Sequence, residues 1–285
     1  MQEDYLTKIR SAYNQFTRAE KKVADFILQN PSKVLFMSIS DLAEACDVGD
    51  TSVFRFCKTM DVKGYQEFKM MLSLSMRSNE SPITSDSDHA ISLEDSISEL
   101  AKKVLNENIS AIEETYSLID LKQMSKALDV FSSARRVIFY GVGTSMLTAM
   151  KAMNKFLRIE PKVRCNMDVN QQLITASTLS DQDVALIFSY SGSTKDTVEI
   201  AKSARAAGAT TIVITRFQKS PLTEYADIIL LCGANEGTLQ NGSTSAEISQ
   251  LFLVDVMYSE YFRRHYDKCK SNWEKTQRSI ADKNY

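Results

Sequence analysis

The chain has 285 residues, 44% hydrophobic and 25% charged, which is material for two packed domains rather than one. Its 34 Lys and Arg against 36 Asp and Glu leave a net charge of −2, so the chain as a whole carries no nucleic-acid signal. No apolar run approaches the roughly 18 residues of a membrane helix, and the five cysteines (Cys46, Cys57, Cys165, Cys232, Cys269) never form a CxxC pair. Neither a zinc site, another metal or cofactor site, nor a disulfide framework is expected, and buried thiols in a reducing compartment are. Glu3 and Asp4 stand where a secretory leader would be basic, so a cytoplasmic location is expected.

The first elements read as helices. Thr17-Arg18-Ala19-Glu20 is a capping box ahead of Val23, Phe26 and Ile27, and Asn30-Pro31 stops that helix. Ser40 is expected to cap a short helix through Leu42, Ala43 and Cys46. A turn at Asp47-Val48-Gly49 leads into a helix from Asp50 to Met60, with Val53, Phe56 and Cys57 inward. Ser78 to Asp88 is rich in Ser and Asp and cannot bury enough surface to offset its ordering entropy. The expected division is therefore a helical domain at 1–77, a linker at 78–92 and a second domain at 93–285.

After the linker come two apolar helices, one carrying Ile97, Leu100, Val104, Leu105 and Ile109 and the other running from Leu121 to Phe131. Strand-like runs follow at Arg136–Tyr140, Val184–Ser189, Thr210–Thr215 and Ile228–Leu231, separated by helical segments such as Thr194–Ala207, which Gly208 ends. Strands alternating with helices predict a doubly wound α/β domain with a parallel sheet. A last apolar helix is expected at Ile248–Phe262.

Two short helices and a tight turn form a helix-turn-helix, whose second helix enters the major groove of DNA. The candidate DNA contacts are Thr51, Ser52 and Arg55, with Lys58 and Lys63 placed for phosphates. Residues 51–77 hold five basic and two acidic residues. The competing reading is a helical domain that packs on protein, with Arg55 a solvated charge and Asp41, Glu44, Asp47 and Asp50 repelling DNA. The segment Ser38–Leu72 resembles the DNA-binding domain of the RpiR family through Leu42-Ala43-Glu44-Ala45, Arg55-Phe56-Cys57-Lys58 and Lys63-Gly64-Tyr65-Gln66-Glu67-Phe68-Lys69. It departs from that pattern at Asp47 and Gly49, where the family usually has Gly and Ser.

In the second domain, Gly141-Val142-Gly143-Thr144-Ser145 joins a strand to a helix, a place where free N–H groups gather around anions. A dinucleotide fingerprint is incomplete there: the third Gly is missing, and Glu160 precedes the next strand instead of ending it. A second turn, Ser189-Tyr190-Ser191-Gly192-Ser193-Thr194, puts four hydroxyls at one helix N-terminus, whereas a simple cap needs one. The two turns resemble the SIS (sugar isomerase) domain over about residues 125–265. That resemblance implies a sugar phosphate held by Ser189, Ser191, Gly192, Ser193 and Thr194, with Gly143, Thr144 and Ser145 beside it and Ser243 facing the ligand. Glu247 stands where regulators of this kind often carry Arg. It reads either as a ligand contact or as a first-turn residue complementing the helix dipole.

Taken together, the resemblances imply a regulator of sugar metabolism that binds double-stranded operator DNA as a homodimer or homotetramer, with a phosphorylated sugar as effector and no catalytic residues. The alternative is a sugar-phosphate isomerase or lyase with Glu247 as base. His89 and His265 fall outside both motifs.

Overall fold

Hydroxyl caps mark where two of the first helices start in the computed structural model, which describes residues 5–79, 94–233 and 244–281. These residues divide into two compact units, one up to Leu105 and one from Asn106 onward. The first unit is helical: α1 (Tyr5–Ala12), α2 (Arg18–Gln29), α3 (Pro31–Leu35), α4 (Ile39–Ala45), α5 (Asp50–Thr59) and α6 (Tyr65–Asn79). Thr17 caps α2 in the expected box: Glu20 N–H donates to the Thr17 hydroxyl, and Thr17 N–H donates to the Glu20 carboxylate at 2.8 Å. Pro31 both ends the run of α2 and opens α3 at its first turn, where its missing N–H costs nothing.

One cap differs from expectation. Ser38, not Ser40, caps α4, in a box with Asp41. Ser40 lies inside the first turn and donates to Asp50 at 2.7 Å instead. The core gathers Ile27, Leu42, Val53, Phe56 and Phe68, all fully buried. Phe56 stands between Phe16 and Phe68 with ring centroids 5.2 and 5.5 Å away, spacings at which tilted aromatic pairs attract.

The second part of the chain carries α7 (Ile97–Ser117) and α8 (Leu121–Ser133), then β1 (Arg136–Gly141), α9 (Thr144–Leu157), β2 (Val163–Cys165), α10 (Val169–Ser177), β3 (Asp183–Phe188), α11 (Lys195–Ala206), β4 (Thr210–Thr215), β5 (Ile228–Leu231), α12 (Thr244–Arg264) and α13 (Tyr266–Ala281). All five strands are parallel, in the order β2-β1-β3-β4-β5. This is the doubly wound α/β architecture expected, with β2 added to the four strands read from sequence.

Alternate residues of each strand feed two cores, as the period of two requires. Val137, Phe139, Leu186, Phe188 and Ile214 pack with α8, α9 and α12, while Ile138, Tyr140, Ala185 and Ile187 pack with α10 and α11. Asp183 ties the start of the sheet together. Its buried carboxylate accepts from Arg136 at 2.7 Å, Arg135 at 3.0 Å and Ser180 N–H at 2.9 Å. The Arg136 guanidinium is the main reason this carboxyl sits well below the usual carboxylate range; burial opposes it.

The two helices before the sheet behave differently. Met124, Leu128 and Phe131 of α8 are buried against the strands, as are Leu253, Val254 and Met257 of α12. On α7, Ile97, Leu100, Val104, Leu105 and Ile109 are exposed in the single chain.

Candidate functional site

In the first unit, α4 and α5 are joined by a turn that Val48 N–H closes on Ala43 O at 2.9 Å. Asp47 takes a left-handed φ of 51°, a conformation Asp reaches more readily than most side chains. Lys22 donates to the Asp47 carbonyl at 3.0 Å and carboxylate at 2.7 Å, and the ammonium pulls that carboxyl below its usual range. Gly49 is the N-cap of α5 with ordinary extended φ, and no side chain caps the helix. The first N–H groups of α5 thus lack a side-chain acceptor.

α5 turns Val53, Phe56 and Cys57 into the core and leaves Thr51, Arg55 and Lys58 exposed, with Ser52 half-buried. Lys63 is exposed just beyond the helix. Arg55 lies near Glu20. Burial pushes the Glu20 carboxyl up, but hydrogen bonds from Thr17 and Thr59, with the Arg55 charge, leave it below normal. Of the four acids that would repel DNA, Asp41 is bonded to Ser38, Asp47 to Lys22 and Asp50 to Ser40.

In the second unit the strand order reverses between β1 and β3, which pair along their length with Gly141 opposite Phe188. Both strands therefore end side by side, and the turns that follow open onto the crevice outside the carboxyl ends, where doubly wound folds bind ligands. The first turn passes Gly143 at φ 62° into α9. Gly143 and Thr144 are exposed and Ser145 is half-buried. The second turn passes Gly192, also at φ 62°, into α11, with Ser189 buried, Ser191 and Ser193 half-buried and Thr194 exposed.

The helix starts decide how these hydroxyls are used. Asp120 caps α8 and Asp168 caps α10 through their carboxylates. Neither Gly143 of α9 nor Thr194 of α11 makes a side-chain cap bond. The hydroxyl-rich turn is thus not a cap. Its internal side-chain bonds are long ones: Ser193 N–H to Ser191 Oγ at 3.3 Å, and Ser193 Oγ to Ser191 O at 3.4 Å. Two helix N-termini without side-chain caps, each with the positive end of its dipole, face one crevice.

Residues outside the motifs hold both turns in place. Gln172 of α10 is buried and brackets Gly141: its amide donates to Gly141 O at 3.0 Å and its carbonyl accepts from Gly141 N–H at 3.2 Å. Leu222 N–H donates to Gly192 O at 2.9 Å, and Arg216 N–H to Tyr190 O at 3.0 Å. Arg216 also pairs with Glu114 of α7 at 2.5 Å. No local motif in the sequence signals these partners.

Glu247 sits in the first turn of α12, partly exposed, and accepts from Lys151 of α9. Glu160 is buried under Tyr261 and Lys268, away from any dinucleotide role. His265 contacts Ser132 of α8 at 2.9 Å. Ser243 and His89 lie outside the described residues, as does most of the expected linker. A cavity of about 260 Å³ beside β5, lined by Leu118, Asp227 and Ile229 among others, shares no residue with either turn. Among the described residues no group of three or more His, Cys, Asp or Glu could hold a metal ion, and no helix is long and apolar enough to cross a membrane.

A helix-turn-helix unit and an SIS-type doubly wound unit in one chain define a class of two-unit transcriptional regulators. Residues 3–79 match the helix-turn-helix domain of the rpiR family, and residues 130–259 match the SIS domain. An HTH-type transcriptional regulator of Caldanaerobacter subterraneus subsp. tengcongensis is 35% identical over 98% of this chain and 97% of its own length. The regulator HexR of Pseudomonas aeruginosa is 32% identical over 88% of this chain and 87% of its own. The chain belongs to the RpiR family of HTH-type transcriptional regulators. The Vibrio vulnificus NanR protein, solved in complex with ManNAc-6P, superposes with a TM-score of 0.82 at 24% identity over 98% of both chains, which shows the shared fold.

Proposed function

We propose that this regulator binds double-stranded operator DNA through α5 and that a phosphorylated sugar held in the SIS unit controls that binding. The observation that carries the effector half is the pair of uncapped helix N-termini, α9 and α11, opening side by side at the β1/β3 reversal. A phosphate there would accept from N–H groups and neutral hydroxyls without needing an Arg clamp. Ser189, Ser191, Gly192, Ser193 and Thr194 form the phosphate cradle and Gly143, Thr144 and Ser145 flank it, with Ser243 and Glu247 assigned to the sugar. On the DNA side, Thr51, Ser52 and Arg55 read bases while Lys58 and Lys63 hold phosphates.

The same reading divides the chain at 1–77, 78–92 and 93–285, places it in the cytoplasm and makes it a homo-oligomer. Half-sites one turn apart require two helix-turn-helix units. The exposed apolar residues of α7 are suited to join copies, since they are not spent on the sheet. An isomerase would need a base and a partner acid. Glu247 is already engaged by Lys151 and His265 by Ser132, so this alternative has less to support it.

The test is a thermal-shift screen of hexose, pentose and N-acetylhexosamine phosphates, including the ManNAc-6P bound by the NanR neighbour. A tight ligand raises the melting temperature by mass action. The hit should then change affinity for an operator enriched from random duplexes. If no phosphorylated sugar shifts the melt, the effector assignment is wrong.

A further inference from the structure

Phe54 carries an aromatic ring where a DNA-facing helix would be expected to carry polar groups. Only it and Phe36 are large exposed hydrophobics among described residues 5–76, Phe54 at 43%. At about 100° per residue, Thr51, Phe54, Arg55 and Lys58 fall on one stripe of α5, opposite the buried Val53, Phe56, Cys57 and Met60. One edge of the ring lies beside Gly64, where even a Cβ would make only ordinary contact, 3.9 Å from Phe54 Cε2, and the Lys58 ammonium stands 5.3 Å from the ring centroid. That cation–π contact orients the ring without covering its outer edge.

Phe has no donor or acceptor, so it reads neither phosphate nor a base's hydrogen-bonding edge. The apolar feature of the major groove is the thymine C5-methyl. We propose that Phe54 is a specificity residue that packs on a thymine methyl next to the base read by Arg55, with Lys58 joining the ring to the phosphate backbone. The inference rests on α5 being the DNA-reading helix and adds a sequence preference to it.

The experiment uses the full chain. An operator is enriched from random duplexes, and each thymine is then replaced in turn by deoxyuridine, which removes only the methyl. The wild type should lose roughly fourfold in affinity at one thymine per half-site, about what one buried methyl gives. Phe54→Ala should bind the thymine and uracil duplexes equally at that position, while Phe54→Leu keeps part of the difference. If Phe54→Ala retains the wild-type uracil penalty, or no thymine shows one, the inference falls. In either case Arg55→Ala still reports on the helix: loss of operator selectivity leaves the DNA reading standing alone. Should the wild type enrich no sequence at all, both fall together.

Discussion

Ser220 occupies the space that any side chain at residue 192 would need: a Cβ on Gly192 would lie 2.2 Å from Ser220 Oγ and 2.7 Å from its Cβ. This hydroxyl-rich turn therefore needs glycine for two reasons of its own, this contact and a φ of 62°. Close approach of a ligand is a third, and the three separate experimentally. Gly192→Ala should lower the melting temperature of the ligand-free protein, the left-handed conformation and the clash together costing about 1–3 kcal/mol. Pairing it with Ser220→Gly should recover part of that stability. Recovered stability without recovered sugar-phosphate binding would isolate the ligand's own demand for glycine.

Ser191 offers the opposite case, a residue whose loss should leave the fold almost alone. Its hydroxyl accepts one long bond of 3.3 Å from Ser193 N–H and is half-buried. A hydrogen bond to a charged phosphate contributes about 1.5–3 kcal/mol. Ser191→Ala should thus weaken sugar-phosphate binding tenfold or more in calorimetry while the ligand-free melt stays near the wild type. Equal binding by the variant would remove Ser191 from the phosphate site.

These two residues show which parts of the molecule the sequence discloses. The turns are local, so Gly143, Gly192 and the hydroxyl run could be read directly, as could the long apolar strands β1, β3, β4 and β5. β2 spans three residues, Val163–Cys165, with Arg164 exposed, too short and mixed to stand out. Ser38 lost its place to Ser40 because its box closes on Asp41 rather than the usual Glu or Gln. Gln172 and Ser220 were invisible for a different reason. Each meets its turn across about 30 residues of chain, and only the folded sheet brings them together.

Asp183 gives the second unit a predictable response to acid. Its side chain is fully buried, while Arg135 and Arg136 are 56% and 37% exposed, so the carboxylate depends on them more than they on it. Because its folded pKa is depressed, the stability it supplies is present above the unfolded value of about 4 and is lost as pH falls through the lower folded one. Asp183→Asn should cost about 2 kcal/mol at neutral pH. It should also flatten the fall in melting temperature as pH drops below about 4, read by calorimetry. An unchanged acid limb would show that other carboxylates govern it.

Asp47 sets the geometry of the turn between α4 and α5, and its two contributions can be told apart by substitution. The left-handed φ of 51° excludes β-branched residues, tolerates Asn and suits Gly. The Lys22 ion pair lies at an exposed carboxylate, where such pairs contribute little. Asp47→Gly and Asp47→Asn should therefore melt close to the wild type and keep operator affinity. Asp47→Val should melt lower and bind the operator more weakly, because the strained turn shifts α5 against α4. Circular-dichroism melts and operator titrations on the three variants decide the matter. If Asp47→Asn falls as far as Asp47→Val, the ion pair to Lys22 holds the turn and the backbone conformation does not.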